Sequence, residues 1–110
     1  MKIFEEGLLG EARAARFARS QGMRIVKRRY RTAHGEIDLI AKDGDTVIFI
    51  EVKSRPRGRI GEGSAAVNRE KQRHLRWAAE KYLQSHPAFS VRFDVIEISA
   101  AGLRHIKNAF

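Results

Sequence analysis

Three acidic residues and one lysine interrupt two apolar segments of the chain, at Glu36, Asp38, Glu51 and Lys53. Valine, isoleucine and phenylalanine dominate both segments, which is typical of buried strands. An ionised group in such a strand is costly to desolvate unless it is paired or binds a metal. Facing carboxylates also repel each other across a sheet, so the pattern indicates a cation between them. Carboxylate oxygens favour Mg²⁺ or Mn²⁺.

The turn between the two segments decides whether these acids meet. The sequence Asp-Gly-Asp at residues 43–45 is a strong hairpin signal. A two-residue loop at 43 and 44 would set Glu51 opposite Glu36, whereas a loop at 44 and 45 would set Glu51 opposite Asp38. In both registers the charged residues share one face, because side chains alternate along a strand. A three-residue loop would move Asp38 to the other face and remove the site.

A helix is predicted before the hairpin, from Phe4 to Gln21, with Gly22 suited to the position after its end. Glu11 lies within the apolar stripe of this helix. We expect Glu11 either to face a polar site on the sheet or to pair with an arginine in the core, and the two hypotheses are equally supported. Phe17 falls on the opposite side. The predicted stripe consists of Phe4, Leu8, Ala12, Ala15 and Ala18.

The remaining elements are two or three strands and a second helix. Residues 23–31 and 90–99 have strand patterns, and residues 103–107 form a short additional one. Asn68 is suited to cap a helix from Arg69 to Ser85. The order αβββαβ(β), with a crossover through the second helix, predicts a mixed sheet flanked by helices. This is an α/β class that borders on α+β.

Several single residues receive structural interpretations. Asp94 is expected to pair with Arg92 or with an N-terminal arginine, in preference to a catalytic role. Trp77 is expected to pack between helix and sheet and not to stack on a base. The histidines have no ligand spacing and are expected in loops or on the surface: His34, His74, His86 and His105.

Composition limits the classes of protein that this chain can represent. Its 110 residues and 43% hydrophobic content predict a single domain over residues 1–110. The absence of cysteine excludes disulfides and thiol nucleophiles. No run of eighteen apolar residues and no signal peptide pattern occurs, so we expect no membrane partner and a cytoplasmic protein.

The charge favours an anionic partner. Lysine and arginine number 22 against 13 acidic residues, a formal net charge of +9. Nucleic acid is the partner that such a surface suits best, although a basic solvated surface alone would look the same. The loop after residue 53 could clamp phosphates or serve as a solvated connector. The candidate nucleic-acid-binding residues are Arg28, Arg29, Arg31, Arg55, Arg57, Arg59 and Lys71.

Asp38, followed thirteen residues later by Glu51-Val52-Lys53, with Glu11 on a preceding helix, resembles the active-site pattern of the PD-(D/E)xK nuclease superfamily. The element order resembles the restriction-endonuclease-like core of that superfamily. Ile37 stands where the name motif has proline. Residues 10–94 more closely resemble the YraN-like family within it, through the segments Gly35–Ile40, Ile50–Arg55, Ala66-Val67, Lys71-Gln72 and Arg92–Val95.

The resemblance implies a Mg²⁺- or Mn²⁺-dependent endonuclease that hydrolyses phosphodiesters, in DNA more than in RNA. Similarity to Holliday-junction resolvases implies branched or structured DNA and a symmetric homodimer. Asp38, Glu51 and the backbone carbonyl of Val52 would hold the metal. Lys53 would orient the attacking water or stabilise the phosphorane. The resemblance assigns accessory roles to Glu11, Glu36 and Gln72.

Two other hypotheses use the same residues. In the first, the protein binds nucleic acid through its basic surface without cleaving it, because nuclease folds also serve as binding modules. In the second, the charged groups form buried ion pairs in a structural or interaction module. Convergence of Asp38, Glu51 and Lys53, with Glu11 nearby, would favour the enzyme.

Overall fold

The computed structural model describes residues 2–55 and 67–110, with side chains for residues 9–54 and 67–110. The observed order agrees with the predicted αβββαβ(β), and the fold is α+β. Of the candidate nucleic-acid-binding residues, Arg57 and Arg59 lie outside this description, as does the side chain of Arg55. The elements are α1 (Lys2–Ser20), β1 (Arg24–Arg31), β2 (Glu36–Asp43), β3 (Thr46–Arg55), α2 (Arg69–Ser85), β4 (Ser90–Ser99) and β5 (Gly102–Ile106).

The five strands form one mixed sheet in the order β1-β2-β3-β4-β5. β3 and β4 are parallel and in register from Thr46 opposite Ser90 to Arg55 opposite Ser99. The other neighbours are antiparallel. A parallel pair needs a crossover between its strands, and α2 lies in that connection. The predicted mixed sheet is therefore confirmed.

The helices cover opposite faces of the sheet. On one face, Ala14, Ala15 and Ala18 of α1 pack against apolar residues of β2, β3 and β4. On the other face, α2 packs through the predicted stripe of Leu75, Ala78, Ala79 and Tyr82. The residues of β3 and β4 alternate between the two cores, as period-two geometry requires. Both faces of the central strands are thus buried, which explains their nearly continuous apolar sequence.

The helix ends follow local signals. The side chain of Asn68 accepts a hydrogen bond from Lys71 N at 2.8 Å, which caps α2 at the predicted residue. Gly22 has a φ of 89°, a backbone conformation that favours glycine, and α1 ends just before it. The bounds of α2 and β4 match the prediction. Those of α1, β1 and β5 differ by one or two residues.

Two predictions for the first helix need correction. Phe17 was expected on the side away from the core, but it packs against the α1 core and its ring meets the His105 ring edge to face at 5.7 Å. Ala12 was expected in the buried stripe, but it is only half-buried, while Ala14 is fully buried. The buried stripe is therefore rotated toward Ala14, because β5 extends the sheet under Phe17. Within the described residues, no helix is both long and apolar enough to span a membrane.

Candidate active site

The hairpin adopts the register that brings the two acids together. Asp43 pairs with Thr46, so the loop consists of Gly44 and Asp45. Gly44 has a φ of 61° and Asp45 has a negative φ, which is the pattern of a type II′ turn. The pairing continues to Leu39 opposite Ile50, and one further step along both strands leads to Asp38 and Glu51. The first of the two predicted registers is therefore excluded.

The backbone pairing of β2 with β3 ends at Leu39, and at Asp38 a side chain makes the hydrogen bond between the two strands. Asp38 Oδ2 accepts a hydrogen bond from the backbone N–H of Val52 at 2.8 Å. This contact fixes one carboxylate oxygen of Asp38 at the point where β3 continues beside β4. The Val52 backbone and the Asp38 carboxylate are thus held side by side.

Asp38 and Glu51 form a carboxyl pair, in which Asp38 is half-buried and Glu51 is buried. The Glu51 residue is only 5% exposed. Burial, followed by the hydrogen bond and the charge of Glu51, raises the pKa of Asp38 to about 8. Without a cation, the pair therefore favours one shared proton over two ionised carboxylates. Two close carboxyl groups in a low-dielectric site cannot both ionise cheaply unless a cation joins them.

A lysine from the first turn of α2 supplies positive charge to this pair. Lys71 Nζ lies 3.2 Å from Glu51 Oε2. That oxygen is inaccessible to solvent and, among the described residues, accepts no hydrogen bond of good geometry. Lys71 therefore compensates the charge of Glu51 without satisfying its oxygen. The Asn68 cap, which binds the Lys71 backbone, sets the direction from which the side chain arrives.

Gln72 follows Lys71, and its side chain bonds to the segment that leads into α2. Its side-chain amide nitrogen donates a hydrogen bond to the carbonyl oxygen of Val67 at 3.0 Å. The contact joins the start of α2 to the residue before its cap. Gln72 thus supports the first turn of α2, and through it the position of Lys71.

Lys53 lies on the same face as Glu51, two residues further along β3, and is half-buried. Its register partner on β4 is Glu97, which is fully buried. Val95 on β4 belongs to the α2 core, so alternation places Glu97 on the same face as Lys53. Sequence reasoning missed Glu97. The available signal was an acid within the apolar run Val-Ile-Glu-Ile at residues 95–98.

Glu11 reaches the periphery of the site and not its centre. Its Oε2 atom accepts a hydrogen bond from Arg29 Nε at 2.8 Å, which is the arginine pair weighed as one of two hypotheses. That hydrogen bond is the largest cause that raises the pKa of Arg29, and the charges of Glu36 and Asp38 also contribute. Arg29 therefore lies between the acid of α1 and the acids of β2. Glu36 sits near the solvent edge, 3.6 Å from the exposed Arg31.

The donor set at the centre fits a hard divalent cation. Mg²⁺ usually takes one or two protein carboxylates and keeps several waters, so Asp38, Glu51 and the Val52 carbonyl are sufficient. Glu51 Oε2, which is buried and accepts no hydrogen bond from the residues that the structure describes, is the oxygen that such an ion would contact. Across residues 9–54 and 67–110, no three or more His, Cys, Asp or Glu side chains group as a metal site. Asp38 and Glu51 are the two carboxylates of this candidate donor set.

A second polar cluster lies on the opposite face of the sheet, around Asp94. Arg92 donates two hydrogen bonds to its carboxylate at 2.8 and 2.9 Å, which confirms the predicted pair. His105 Nε2 lies 2.7 Å from Asp94 Oδ2, and the Asn108 backbone donates a further hydrogen bond. The expectation of a surface position is wrong for His105, because its side chain is only 8% exposed beneath α1. This cluster fastens β5 to β4.

Trp77 also differs from its prediction. It does not pack between helix and sheet but lies 44% exposed, against the turn that joins β1 to β2. Its ring centroid is 5.2 Å from that of His34 in this turn. Propensity and helical spacing did not indicate this environment, because it depends on how the turn docks on α2.

Comparison with known proteins shows relatives of similar length. The chain is 42% identical to the UPF0102 protein HEAR0176 of Herminiimonas arsenicoxydans, over 94% of the chain and 84% of that protein. It is 40% identical to UPF0102 proteins of Alkaliphilus oremlandii (94% of the chain, 96% of that protein) and Thermodesulfovibrio yellowstonii (100% and 99%). The model of the uncharacterised protein family UPF0102 matches residues 10–98, which include Glu11, Asp38, Glu51 and Lys53. The chain therefore belongs to the uncharacterised protein family UPF0102.

Proposed function

We propose that this protein is a metal-dependent endonuclease that hydrolyses phosphodiesters in DNA, on a restriction-endonuclease-like fold of the PD-(D/E)xK superfamily. The Asp38 and Glu51 pair carries the proposal, because a divalent cation would replace its shared proton and would bind Glu51 Oε2, which accepts no hydrogen bond from the described part of the chain. Such an ion would neutralise negative charge on the scissile phosphate and acidify a nearby water. The sequence resemblance and the net charge of +9 also support a nuclease that acts on DNA.

The protein residues would divide the remaining work. Asp38 and Glu51 would hold the cation, with Asp38 positioned by its hydrogen bond from Val52 N. Lys53, half-buried on the same face, would orient the attacking water or stabilise the charge of the phosphorane. Lys71 would move from Glu51 toward a phosphate once the acid pair is neutralised, because its side chain is 40% exposed.

One observation favours a second function, a nucleic-acid-binding module without cleavage. Lys71 already compensates Glu51 at 3.2 Å, so a cation in the site would have to displace an existing ion pair. In that case, the basic surface would bind DNA while the acids serve only the fold.

A cleavage assay separates the two functions. Supercoiled, single-stranded and four-way-junction DNA are incubated with the protein and Mn²⁺ or Mg²⁺, beside the variants Glu51→Gln and Lys53→Ala. We expect each variant to lose at least about 100-fold in cleavage rate while DNA binding is retained. The matched control is Asp45→Asn, which neutralises an exposed acid at the other end of the same hairpin.

Each result has a distinct meaning. Cleavage that persists in Glu51→Gln would overturn the assignment of the site. Binding by the wild-type protein with no metal-dependent cleavage would support the module. A lack of any salt-sensitive binding would remove both nucleic-acid functions.

A further inference from the structure

An exposed tryptophan stands between two histidine rings near the candidate active site. Trp77 lies on α2, and its ring centroid is 5.2 Å from that of His34 and 5.8 Å from that of His74. Tryptophan is enriched among the residues that contribute most of the binding energy at interaction sites. The two neighbouring rings restrict the orientation of the indole and leave part of it open to solvent.

The turn that carries His34 is internally bonded and closely docked. Thr32 Oγ1 accepts hydrogen bonds from the backbone N–H groups of His34 at 3.1 Å and Gly35 at 3.0 Å. Thr32 N also donates to the Gly35 carbonyl at 2.8 Å. Gly35 approaches α2 so closely that an added Cβ would lie 2.9 Å from the carbonyl oxygen of His74. Trp77, His34 and His74, which we call the aromatic platform, are therefore held in place before any ligand binds.

A cavity opens beside the platform, between the turn and α2. Its volume is about 270 Å³, and its lining includes Tyr30, Arg31, Trp77 and Lys81. This is slightly below the roughly 300–1,000 Å³ of typical small-molecule sites, so it suits a single planar ring system. A wider depression of about 430 Å³ continues past Trp77, His34 and Lys81.

The charges around the cavity suit a phosphodiester. Arg31 has a side chain that is 69% exposed, and its distance of 3.6 Å to Glu36 leaves the guanidinium able to bind another anion. Lys81 is exposed one turn of helix beyond Trp77. An aromatic face flanked by cations is the arrangement that single-stranded nucleic acids use, with bases on the rings and phosphates on the cations.

The cavity and the acid pair lie along the same two parts of the chain. Gly35, at the end of the turn that lines the cavity, immediately precedes β2, in which Asp38 is the third residue. On α2, Lys71 contacts Glu51, and Trp77 follows six residues later, a rise of about 9 Å along the helix axis. Nucleotides stacked in one strand are spaced by about 3.4 Å, so a strand that follows α2 over this rise would span two or three nucleotides.

We infer that the cavity beside Trp77 binds an unpaired nucleobase of the DNA strand whose phosphate lies at Asp38 and Glu51, so the substrate class is DNA with a single-stranded segment. A base inside a continuous duplex presents no free face for stacking, whereas a flap, gap or strand end does. This inference rests on the proposed function for its placement of the scissile phosphate.

The fluorescence of Trp77 tests the base contact directly, because it is the only tryptophan of the chain. The full-length protein is titrated in a chelating buffer, so that cleavage plays no part, with oligothymidylate, with an abasic oligonucleotide of equal length and with a duplex. We expect strong quenching by oligothymidylate and little by the abasic strand or the duplex. Equal quenching by the abasic strand would overturn the inference, since it would show phosphate contact alone.

Substitutions test the same contact through fluorescence anisotropy of labelled DNA. Trp77→Ala is expected to weaken binding of oligothymidylate roughly 5- to 100-fold and to change duplex affinity less than about twofold. Trp77→Phe retains an aromatic face and should recover most of the loss. The matched control is Phe89→Ala, which removes another exposed aromatic side chain at the opposite end of the sheet. Circular dichroism and thermal melting confirm that each variant is folded.

The outcomes distinguish this inference from the proposed nuclease activity. Base-dependent quenching together with an absence of metal-dependent cleavage would leave the inference standing as a binding site and remove the nuclease. Metal-dependent cleavage of duplex and single-stranded DNA at rates that Trp77→Ala does not change would retain the nuclease and overturn the inference. Equal losses of duplex and single-strand affinity in Trp77→Ala would also overturn it.

Discussion

At the scale of single residues, the acid pair combines two costs that oppose each other. Separating Asp38 from Glu51 would lose the hydrogen bond between them, whereas keeping them together requires a proton or a cation. Lys71 compensates only part of this charge, because it approaches one oxygen of Glu51. Either a proton or a cation must therefore compensate the remaining negative charge of the pair. The stability of the protein and its affinity for a cation should both depend on pH.

Asp38→Asn should change the stability of the metal-free protein in a pH-dependent way. The pKa of Asp38 is raised from its ordinary 3.8 to about 8, so ionising it opposes folding. The cost is absent below about pH 4, grows as the pH rises, and is complete above about pH 8. We expect the variant to gain on the order of 4 kcal/mol relative to the wild type between about pH 5 and pH 8, measured by urea unfolding.

The control for this experiment is Asp45→Asn, whose side chain is exposed, and which should show the same pH dependence as the wild type. A stability difference for Asp38→Asn that does not vary with pH would contradict the raised pKa.

The affinity for Mn²⁺ should rise with pH for the same reason. Below the raised pKa of Asp38, an incoming ion must displace the shared proton. We expect the association constant from calorimetry to increase about tenfold per pH unit from about pH 6 to pH 8 and then to level off. About one proton should be released per ion, detected by repeating the titration in buffers of different ionisation enthalpy. An affinity that is flat over this range would show that the ion binds elsewhere.

At the scale of elements, the position of the β1–β2 turn on α2 determines the surroundings of both Trp77 and Asp38. The turn meets the helix through backbone, since Gly35 lies against the His74 carbonyl. No flexible side chain separates the two elements at this point. A small change in size at residue 35 should therefore act on the position of the whole turn.

Gly35→Ala tests this docking. The added methyl group would lie 2.9 Å from a helix carbonyl oxygen, and helix backbone cannot easily yield. Overpacking of this kind costs about 1–3 kcal/mol, which exceeds the gain of about 0.4–1 kcal/mol expected from a less flexible unfolded chain. We expect a net loss of stability in denaturant unfolding, with a red shift of Trp77 fluorescence. A neutral or stabilising effect would show that the turn moves freely against α2.

Asp94→Ala tests how β5 is held. Burial alone would raise the pKa of Asp94, but hydrogen bonds from Arg92, His105 and Asn108 N hold it below its ordinary value. Removing the carboxylate leaves Arg92 and His105 without this partner, at an expected cost of about 3–5 kcal/mol. Relative to the wild type, the variant should show a larger increase in amide hydrogen exchange in β5 (Gly102–Ile106) than in β3.

The pH dependence has the opposite sign to that of Asp38. Because the pKa of Asp94 is lowered, its stabilisation is present above about pH 4 and is lost as the pH falls further. The loss caused by Asp94→Ala should therefore shrink in strong acid. A loss that is the same at neutral pH and in strong acid would mean that the carboxylate charge contributes nothing.

Local sequence signals predicted the helices and strands. The features that the sequence did not predict depend on contacts between these elements. Asn68 predicted the start of α2, and alternation predicted β4, because both signals lie within a few residues. The sequence allowed two hairpin registers, and only the turn conformation at Gly44 decided between them. The sequence also allowed two kinds of partner for Glu11, because the choice depends on how α1 packs on the sheet. The pairing of Asp94 with His105 depends on β4 and β5 lying side by side, which no periodicity indicates.

At the scale of the whole molecule, the excess of positive charge should make nucleic-acid binding sensitive to salt. The net charge is +9, and exposed cations of β1 and α2 flank the candidate site. If about four phosphates are contacted, the plot of log K against log salt concentration should have a slope of about −3 to −4. Neutralising Arg28, which is exposed on β1, should reduce the slope by about one. A slope near zero would contradict binding through phosphate contacts.

The hydrogen bond from Val52 N to Asp38 has a further consequence for spectroscopy. An amide proton shared with a carboxylate changes its electronic environment when that carboxylate gains or loses a proton. The ¹H–¹⁵N resonance of Val52 should therefore titrate with Asp38 and respond again when Mn²⁺ is replaced by diamagnetic Mg²⁺. A single backbone signal thus reports, in the intact protein, whether proton or metal occupies the pair.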